Sequence, residues 1–259
     1  MTVLLVGCGR MGSAMARGWQ GSRRVLVHDP MIDALPAGTE AVPSLAEVES
    51  DGDLVVVLAV KPQIFGSVAA QLVPLAEAGA LFVSIMAGKT LAGLGKALGG
   101  TGRVVRAMPN TPAAIGKGIS GAVGADGLRK GDREAVEQLL APTGDLVWLA
   151  SETEIDAVTA LSGSGPAYFF RFAEALAAAG VEAGLPRPLA MRLARATLVG
   201  AGALAEAGEA ALPDLRQQVT SPGGTTAAGL AELDKEEAID RLLRAVIDAA
   251  AARSRELAG

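Results

Sequence analysis

The stretch that most restricts what this chain can fold into lies within its first twenty residues. Thr2-Val3-Leu4-Leu5-Val6 is a short apolar run, and Gly7, Cys8, Gly9, Arg10, Met11 and Gly12 follow it before a helical stretch to about Trp19. The order is strand, G-x-G-x-x-G, helix. In such a turn the first glycine makes the tight bend, the second lets a pyrophosphate approach the main chain, and the third lets helix and strand pack closely. Glycine spacing alone is weak, so the context decides. Val25-Leu26-Val27-His28 reads as a second parallel strand and ends in Asp29, and an acid about 20 residues past the fingerprint is where a ribose hydroxyl is held. Residues 7–12 are therefore candidates for a dinucleotide pyrophosphate, and His28, Asp29 and Pro30 for its adenosine side.

The alternation continues. Strands are expected over 53–60, 80–86 and 103–108, with helices from after Lys61-Pro62-Gln63 to about Glu77 and over 90–98. Segments 119–123 and 145–149 extend the sheet, with a helix over 133–140 between them. Buried apolar runs bounded by turn signals and spaced by helices indicate a mostly parallel sheet covered on both faces. Ligands of such sheets sit beyond the carboxyl ends of the strands. Residues 7–12, Lys61-Pro62, Ala87-Gly88 and Pro109-Asn110 all fall there.

Near residue 150 the pattern changes. Helices are expected over 152–161, 166–179, 188–207, 226–233 and 236–257, with no further strand. Pro166 and Pro188 sit in first turns, where proline is tolerated, and Gly180, Gly184 and Gly208 are expected at helix ends or breaks. The fold class is thus α/β: a Rossmann-type domain over 1–150, then an all-helical domain over 151–259. Helix 188–207 carries Ala194, Ala196, Gly200, Ala201, Gly202 and Ala203 and little polar surface on any side. A helix apolar all round is buried. In a tail of this size such burial is easier with a second subunit, so a homodimer is expected, with the helical domain as its interface.

Composition removes several function classes. A net charge of −5 and no basic patch argue against nucleic acid or an acidic membrane surface as partner. The strongest apolar run, 54–60, is too short to span a bilayer. No charged leader precedes the first strand, so no signal peptide is expected. One cysteine allows no internal disulfide and fits a cytoplasmic location. With a single histidine and a single cysteine, no protein-built zinc site is expected.

The same scarcity bears on chemistry. Histidine is the usual proton carrier, yet His28 ends the second strand at the adenosine end. No lysine lies between Lys130 and Lys235, so the long helices offer no amine. Reducing a ketone needs an acid to protonate the developing alkoxide, whereas an imine nitrogen can arrive already protonated. A hydroxyl hydrogen-bonded to that nitrogen then suffices. Ser221-Pro222-Gly223-Gly224-Thr225-Thr226 reads as a loop opening a helix, whose first-turn N–H groups form a ready anion site. It suits a substrate carboxylate, with Thr226 or Thr225 as the hydroxyl, and the loop from Ser162 and Gly163 to Pro166 would wall the same pocket.

Several motifs resemble one family. They are Ala59-Val60-Lys61-Pro62-Gln63, Met108-Pro109-Asn110-Thr111-Pro112, the run from Ala160 through Ser162-Gly163-Ser164-Gly165-Pro166 to Tyr168, and Thr220 to Thr226. On them the whole chain resembles pyrroline-5-carboxylate reductase. The resemblance implies hydride transfer from NADH or NADPH to 1-pyrroline-5-carboxylate, giving L-proline, and dimers that commonly assemble into decamers. It implies that Ala59, Val60, Lys61 and Pro62, with Met86, Ala87 and Gly88, line the ribose and nicotinamide side of the cofactor, with Asn110 near the nicotinamide. Gly224 and Thr225 would offer amides to the carboxylate, Ser221 and Gly223 would shape that loop, and Thr226 would hydrogen-bond the ring nitrogen as the catalytic hydroxyl. Glu152 would border the substrate site. One departure is Asp29-Pro30, where many members carry a small hydroxyl residue that welcomes a 2′-phosphate; a carboxylate there favours NADH. Two rival readings differ in kind. Dehydrogenases of the 3-hydroxyacid or 6-phosphogluconate type share the layout but depend on a lysine in the helical domain, and a cofactor-binding regulatory module would lack turnover.

Overall fold

A computed structural model of the chain describes residues 1–50 and 53–258. Its first half is built on an eight-stranded sheet in the order β3-β2-β1-β4-β5-β6-β7-β8. The strands are β1 (Thr2–Val6), β2 (Arg24–His28), β3 (Glu40–Ala41), β4 (Leu54–Leu58), β5 (Leu81–Ser84), β6 (Val104–Met108), β7 (Gly118–Gly124) and β8 (Gly144–Trp148). Every neighbouring pair is parallel except β6 and β7. The short connection from β6 to β7 forces that reversal, because parallel neighbours need a long crossover.

Period-two alternation decides which side chain enters which layer. Leu4, Val6, Val56, Leu58, Phe82 and Val104 point to one face, where α2 (Phe65–Glu77) and α3 (Leu91–Ala97) supply Leu72 and Leu94. Val3, Leu5, Val55, Val57, Val83 and Val105 point to the other, under α1 (Arg10–Gly18) and α4 (Asp132–Leu140). Trp19 is fully buried in this second layer, and its indole N–H donates to the Leu139 carbonyl at 2.6 Å. That bond gives the one polar atom of the ring a partner, as a buried indole requires.

Five features depart from expectation. The two-residue edge strand β3 has no apolar run to announce it. Helix 152–161 is instead a 3₁₀ turn at Glu152–Glu154, a single α turn, α5 (Ile155–Val158), and a π turn at Thr159–Gly163. Gly180 does not break a helix; it lies inside α6 (Gly165–Glu182), and a side chain there would stand 3.5 Å from Ala190 and Leu185. It serves the packing of α6 on α7 (Arg187–Glu206). After α8 (Leu212–Gln218), which was not foreseen, and α9 (Thr225–Asp234), the last helix α10 starts at Ala238, because Glu236 and Glu237 adopt positive φ of 51° and 54°.

By packing, the chain divides into two compact units. One holds residues 1–164 together with the C-terminal segment from Ala250, and the other spans Gly165–Ala249. In the first, Ser254 donates to Asp156 at 2.6 Å, which fastens the C-terminal segment beside α5. In the second, α7 is apolar yet buries only Ala190; Met191, Val199 and Leu204 are exposed. Within a single chain this helix lacks the cover that its composition demands.

A nearly dry ion pair lies in the first unit. Arg103 grips Asp132 at 2.6 Å, Asp132 also accepts the Arg129 N–H at 2.8 Å, and its side chain is almost wholly buried. Burial by itself would raise the Asp132 carboxyl, but the bonds from Arg103 and Arg129 outweigh it and hold the pKa below the ordinary value. A carboxylate depressed in this way stabilises the fold above its unfolded pKa and loses that contribution as pH falls through the folded value. Asp132→Asn should therefore cost about 2 kcal/mol at neutral pH, since it removes the charge from bonds that the carboxylate accepts from Arg103 and from the Arg129 N–H. In urea melts the gap from the parent protein should close as pH drops below about 4.

Candidate functional site

The loops after β1, β4, β5 and β6 lie side by side, because these strands pair in that order and all run parallel. They carry, in turn, residues 7–12, 59–62, 86–88 and 109–110. The loop after β2 adjoins the first of them through the Gly7 N–H, which donates to the His28 carbonyl at 2.9 Å.

The three fingerprint glycines do different work. Gly7 has φ +91°, and a Cβ on it would stand 2.8 Å from the backbone of Ala59 and Val60. A Cβ on Gly12 would lie 2.5 Å from the Gly7 carbonyl oxygen. Both positions exclude a side chain so that backbones can meet. Gly9 is exposed and a Cβ there meets nothing within 4 Å. The open side of the loop is the side on which a pyrophosphate would rest, against the N-terminus of α1. These residues fit a dinucleotide.

Asp29 holds this loop in shape. One carboxylate oxygen accepts the Cys8 N–H at 2.6 Å and the other accepts the Met31 N–H at 2.9 Å. Beside it lies a cavity of about 250 Å³ lined by Asp29, Ile32, Asp33, Leu35 and Pro43, with no arginine or lysine in its wall. His28 faces the edge strand segment and donates from Nδ1 to the Val42 carbonyl at 2.9 Å. Cys8 is buried against Ser13, and burial pushes its thiol pKa up, so it stays protonated and unreactive.

At the far end of the row, Met86 is buried, Ala87 is half-buried, and Gly88 has φ +68°. Asn110 is buried, accepts the Ile119 N–H at 3.0 Å and donates to the Ser162 hydroxyl at 3.2 Å. Gly163 sits in the π turn, where a Cβ would come within 3.7 Å of the Met108 sulfur. Single π turns of this kind are frequent at functional sites. Glu152 is not a solvated acid: its Oε1 accepts both the Leu91 N–H at 2.6 Å and the Arg106 guanidinium at 2.5 Å. Arg106 escaped notice in the sequence, although a lone arginine inside the strand Val104-Val105-Arg106-Ala107-Met108 was signal enough.

In the second unit, Gly223 has φ +71° and Gly224 donates to the Ser221 carbonyl at 3.0 Å. Gly224 is the cap residue of α9, and no side chain caps that helix. Its first backbone bond runs from Ala228 to the Gly224 carbonyl. The N–H groups of Thr225 and Thr226 therefore point out of the helix start without intrahelical acceptors, and both threonines are exposed. Thr226 also borders an open apolar groove of about 530 Å³ formed with Phe172, Leu176, Leu230 and Leu233. Among the described residues no cluster of His, Cys, Asp or Glu could hold a metal ion.

A mostly parallel sheet whose first loop is a glycine fingerprint opening a helix defines a dinucleotide-binding fold. Residues 2–88 match the family model described as NADP oxidoreductase, coenzyme F420-dependent, and residues 152–257 match that for pyrroline-5-carboxylate reductase dimerisation. The chain is 39% identical to the pyrroline-5-carboxylate reductase of Pseudomonas aeruginosa, across 99% of this chain and 96% of that protein. A solved structure of the Coxiella burnetii enzyme superposes with a TM-score of 0.92 at 32% identity, covering 99% and 98% of the two chains. The Plasmodium falciparum pyrroline carboxylate reductase, solved with NADP bound, gives 0.84 at 29% identity, covering 100% and 98%. The chain belongs to the pyrroline-5-carboxylate reductase family. It is a homo-oligomer, and the bare apolar surface of α7 lies within the dimerisation match.

The glycine loop makes a separable prediction. Gly12→Ala should drive a methyl into the Gly7 carbonyl and lower the melting temperature as well as cofactor binding. Gly9→Val should leave the melting temperature unchanged while NADH fluorescence titration shows binding at least about tenfold weaker.

Proposed function

We propose that this reductase holds its substrate at the entrance of α9 and its cofactor across the carboxyl ends of β1, β4, β5 and β6. As a member of its family the chain is an NAD(P)H-dependent oxidoreductase that reduces 1-pyrroline-5-carboxylate to L-proline, the last step of proline biosynthesis. Bound nicotinamide supplies the hydride. Gly7, Cys8, Gly9, Arg10, Met11 and Gly12 hold the pyrophosphate. Ala59, Val60, Lys61, Pro62, Met86, Ala87, Gly88 and Asn110 line the ribose and nicotinamide side, and His28, Asp29 and Pro30 the adenosine side.

The observation that carries the substrate reading is the uncapped start of α9. The amide of Thr225, with that of Thr226, binds the carboxylate of the imino acid, as helix N-termini bind anions, while the Gly224 N–H, expected to share this task, is already given to the Ser221 carbonyl and holds the turn. Ser221 and Gly223 give the loop its turn, and Ser162 and Gly163 wall the substrate, with Glu152 bordering that wall. The Thr226 hydroxyl hydrogen-bonds the ring nitrogen. That nitrogen enters protonated, so reduction of the C=N bond yields the secondary amine without a general acid from the chain. The apolar groove beside Thr226 offers a wall for the CH2 groups of the ring.

Two finer points belong to this reading. The enzyme works in the cytoplasm, in keeping with the absence, among the described residues, of any helix long and apolar enough to cross a membrane. Its dimers pair through the helical segment and assemble further into decamers, a mass that sedimentation velocity reads directly.

Thr226→Ala should lower turnover by about 100-fold, the scale of one lost hydrogen bond to a charged reacting group. NADH affinity should change far less. Stopped-flow traces with intact turnover and weakened cofactor binding would contradict the role of Thr226. For the cofactor, Asp29 and Asp33 repel a 2′-phosphate and Asp29 retains lone pairs for a ribose diol, so NADH should be the better donor by kcat/KM. Asp29→Ser should shift the NADH/NADPH ratio toward NADPH. A strong NADPH preference that the substitution leaves unchanged would remove this assignment.

A further inference from the structure

Glu152 sits at a junction that its place near the substrate wall does not explain. A single oxygen, Oε1, takes the Leu91 N–H at 2.6 Å and the Arg106 guanidinium at 2.5 Å. Leu91 is the first residue of α3 and stands three residues beyond Gly88. Its N–H is a helix-start donor with no carbonyl of its own to use. Arg106 lies in β6, only 6% exposed. A buried guanidinium without a counter-charge is strongly unfavourable, so Glu152 is held where Arg106 puts it.

The segment between β5 and α3 is thereby pinned at both ends. At its start the Met86 N–H donates to the Ser84 hydroxyl at 3.3 Å. At its end Leu91 is tied to Glu152. Beneath, Ala87 and Leu91 pack on Met108, Val123 and Ile155, a small cluster that also receives Val158 from α5. The same carboxylate and the same apolar cluster therefore connect the 86–88 loop to the segment that runs on to Ser162 and Gly163.

We infer that Glu152 is a positioning residue for the cofactor: through Leu91 and Arg106 it fixes the Met86–Gly88 loop in the conformation that receives the nicotinamide side of NAD(P)H. This rests on the reading that residues 86–88 line the cofactor. Glu152 touches neither reactant in this role. Its loss acts on cofactor affinity before it acts on substrate.

The test uses the full-length enzyme with three substitutions. Glu152→Ala removes both bonds, and Glu152→Gln keeps an oxygen for Leu91 and Arg106 without the charge. Gly88→Val alters the loop itself. Glu152→Ala should raise the NADH dissociation constant about tenfold and speed hydrogen exchange of the Leu91 amide in cofactor-free enzyme, with KM for the imino acid nearly unchanged. Glu152→Gln should fall between it and the parent protein, and it carries the test if Glu152→Ala does not fold. A rise in imino-acid KM with cofactor affinity and Leu91 exchange unchanged would overturn the inference in favour of direct substrate contact. A lowered melting temperature with both binding constants intact would overturn it in favour of a purely structural ion pair. If Gly88→Val also leaves NADH affinity intact, the reading of the 86–88 loop fails; if it weakens NADH while both Glu152 variants do not, only the positioning role fails.

Discussion

The geometry of the cofactor end depends on backbones that approach more closely than any side chain would permit. Gly7 lies against the main chain of Ala59 and Val60, and Gly12 lies against the Gly7 carbonyl. Those two contacts set how α1 leaves β1 and how near the loop after β4 comes to it. Everything in the row of loops follows from that spacing, because β5 and β6 continue the parallel ladder outward from β4. Gly9, between the two packing glycines, is left open. A motif that looks uniform in sequence thus contains two positions closed by protein and one left open.

Much of this was legible in advance, and the reason is physical. Apolar runs such as Leu54-Val55-Val56-Val57-Leu58 have to be buried on both faces, and the turn residues around them leave few ways to connect such strands. Thr90, expected as a helix start, does cap α3 by accepting the Gly93 N–H at 3.0 Å. What escaped had no local pattern to carry it. The strand Glu40–Ala41 exists only because Val42 and Ala41 meet β2 across the sheet edge. Gly180 read as a break, since glycine weakens helices, whereas its use is a tertiary contact with Ala190. The loop at 221–226 was readable as a glycine turn opening a helix, because that depends on its own backbone. The bonds of Glu152 to Arg106 and Leu91 were not readable, since both partners are distant in sequence.

The scarcity of proton carriers narrows the chemistry further. The single histidine holds a carbonyl at the sheet edge, the single cysteine is a buried thiol raised above its ordinary pKa, and lysine is missing from 131–234. A ketone reductase built on this chain would have to find its acid elsewhere. An iminium substrate needs none, and an exposed threonine at a helix start is adequate for it. Family membership and the residue inventory therefore agree for independent reasons: one follows from similarity along the whole chain, the other from what a C=N bond does not ask of a protein.

Order in the 86–88 loop has a different source from order in the 7–12 loop. The glycine loop at 7–12 is held by its own glycines, by Asp29 after β2 and by the backbone after β4. The 86–88 loop has one glycine with a positive φ and no comparable backbone clasp, so its conformation is imposed from outside. One polar link does this over a long sequence separation, Glu152 to Leu91, and the apolar cluster of Met108, Val123 and Ile155, on which Ala87 and Leu91 pack, supports it. Loops positioned in this way are drawn from the less stable end of a fold unless something buried holds them. Here that something is the charge of Arg106: with 6% of its surface exposed it cannot do without a carboxylate, and the carboxylate that answers it carries the start of α3 along with it.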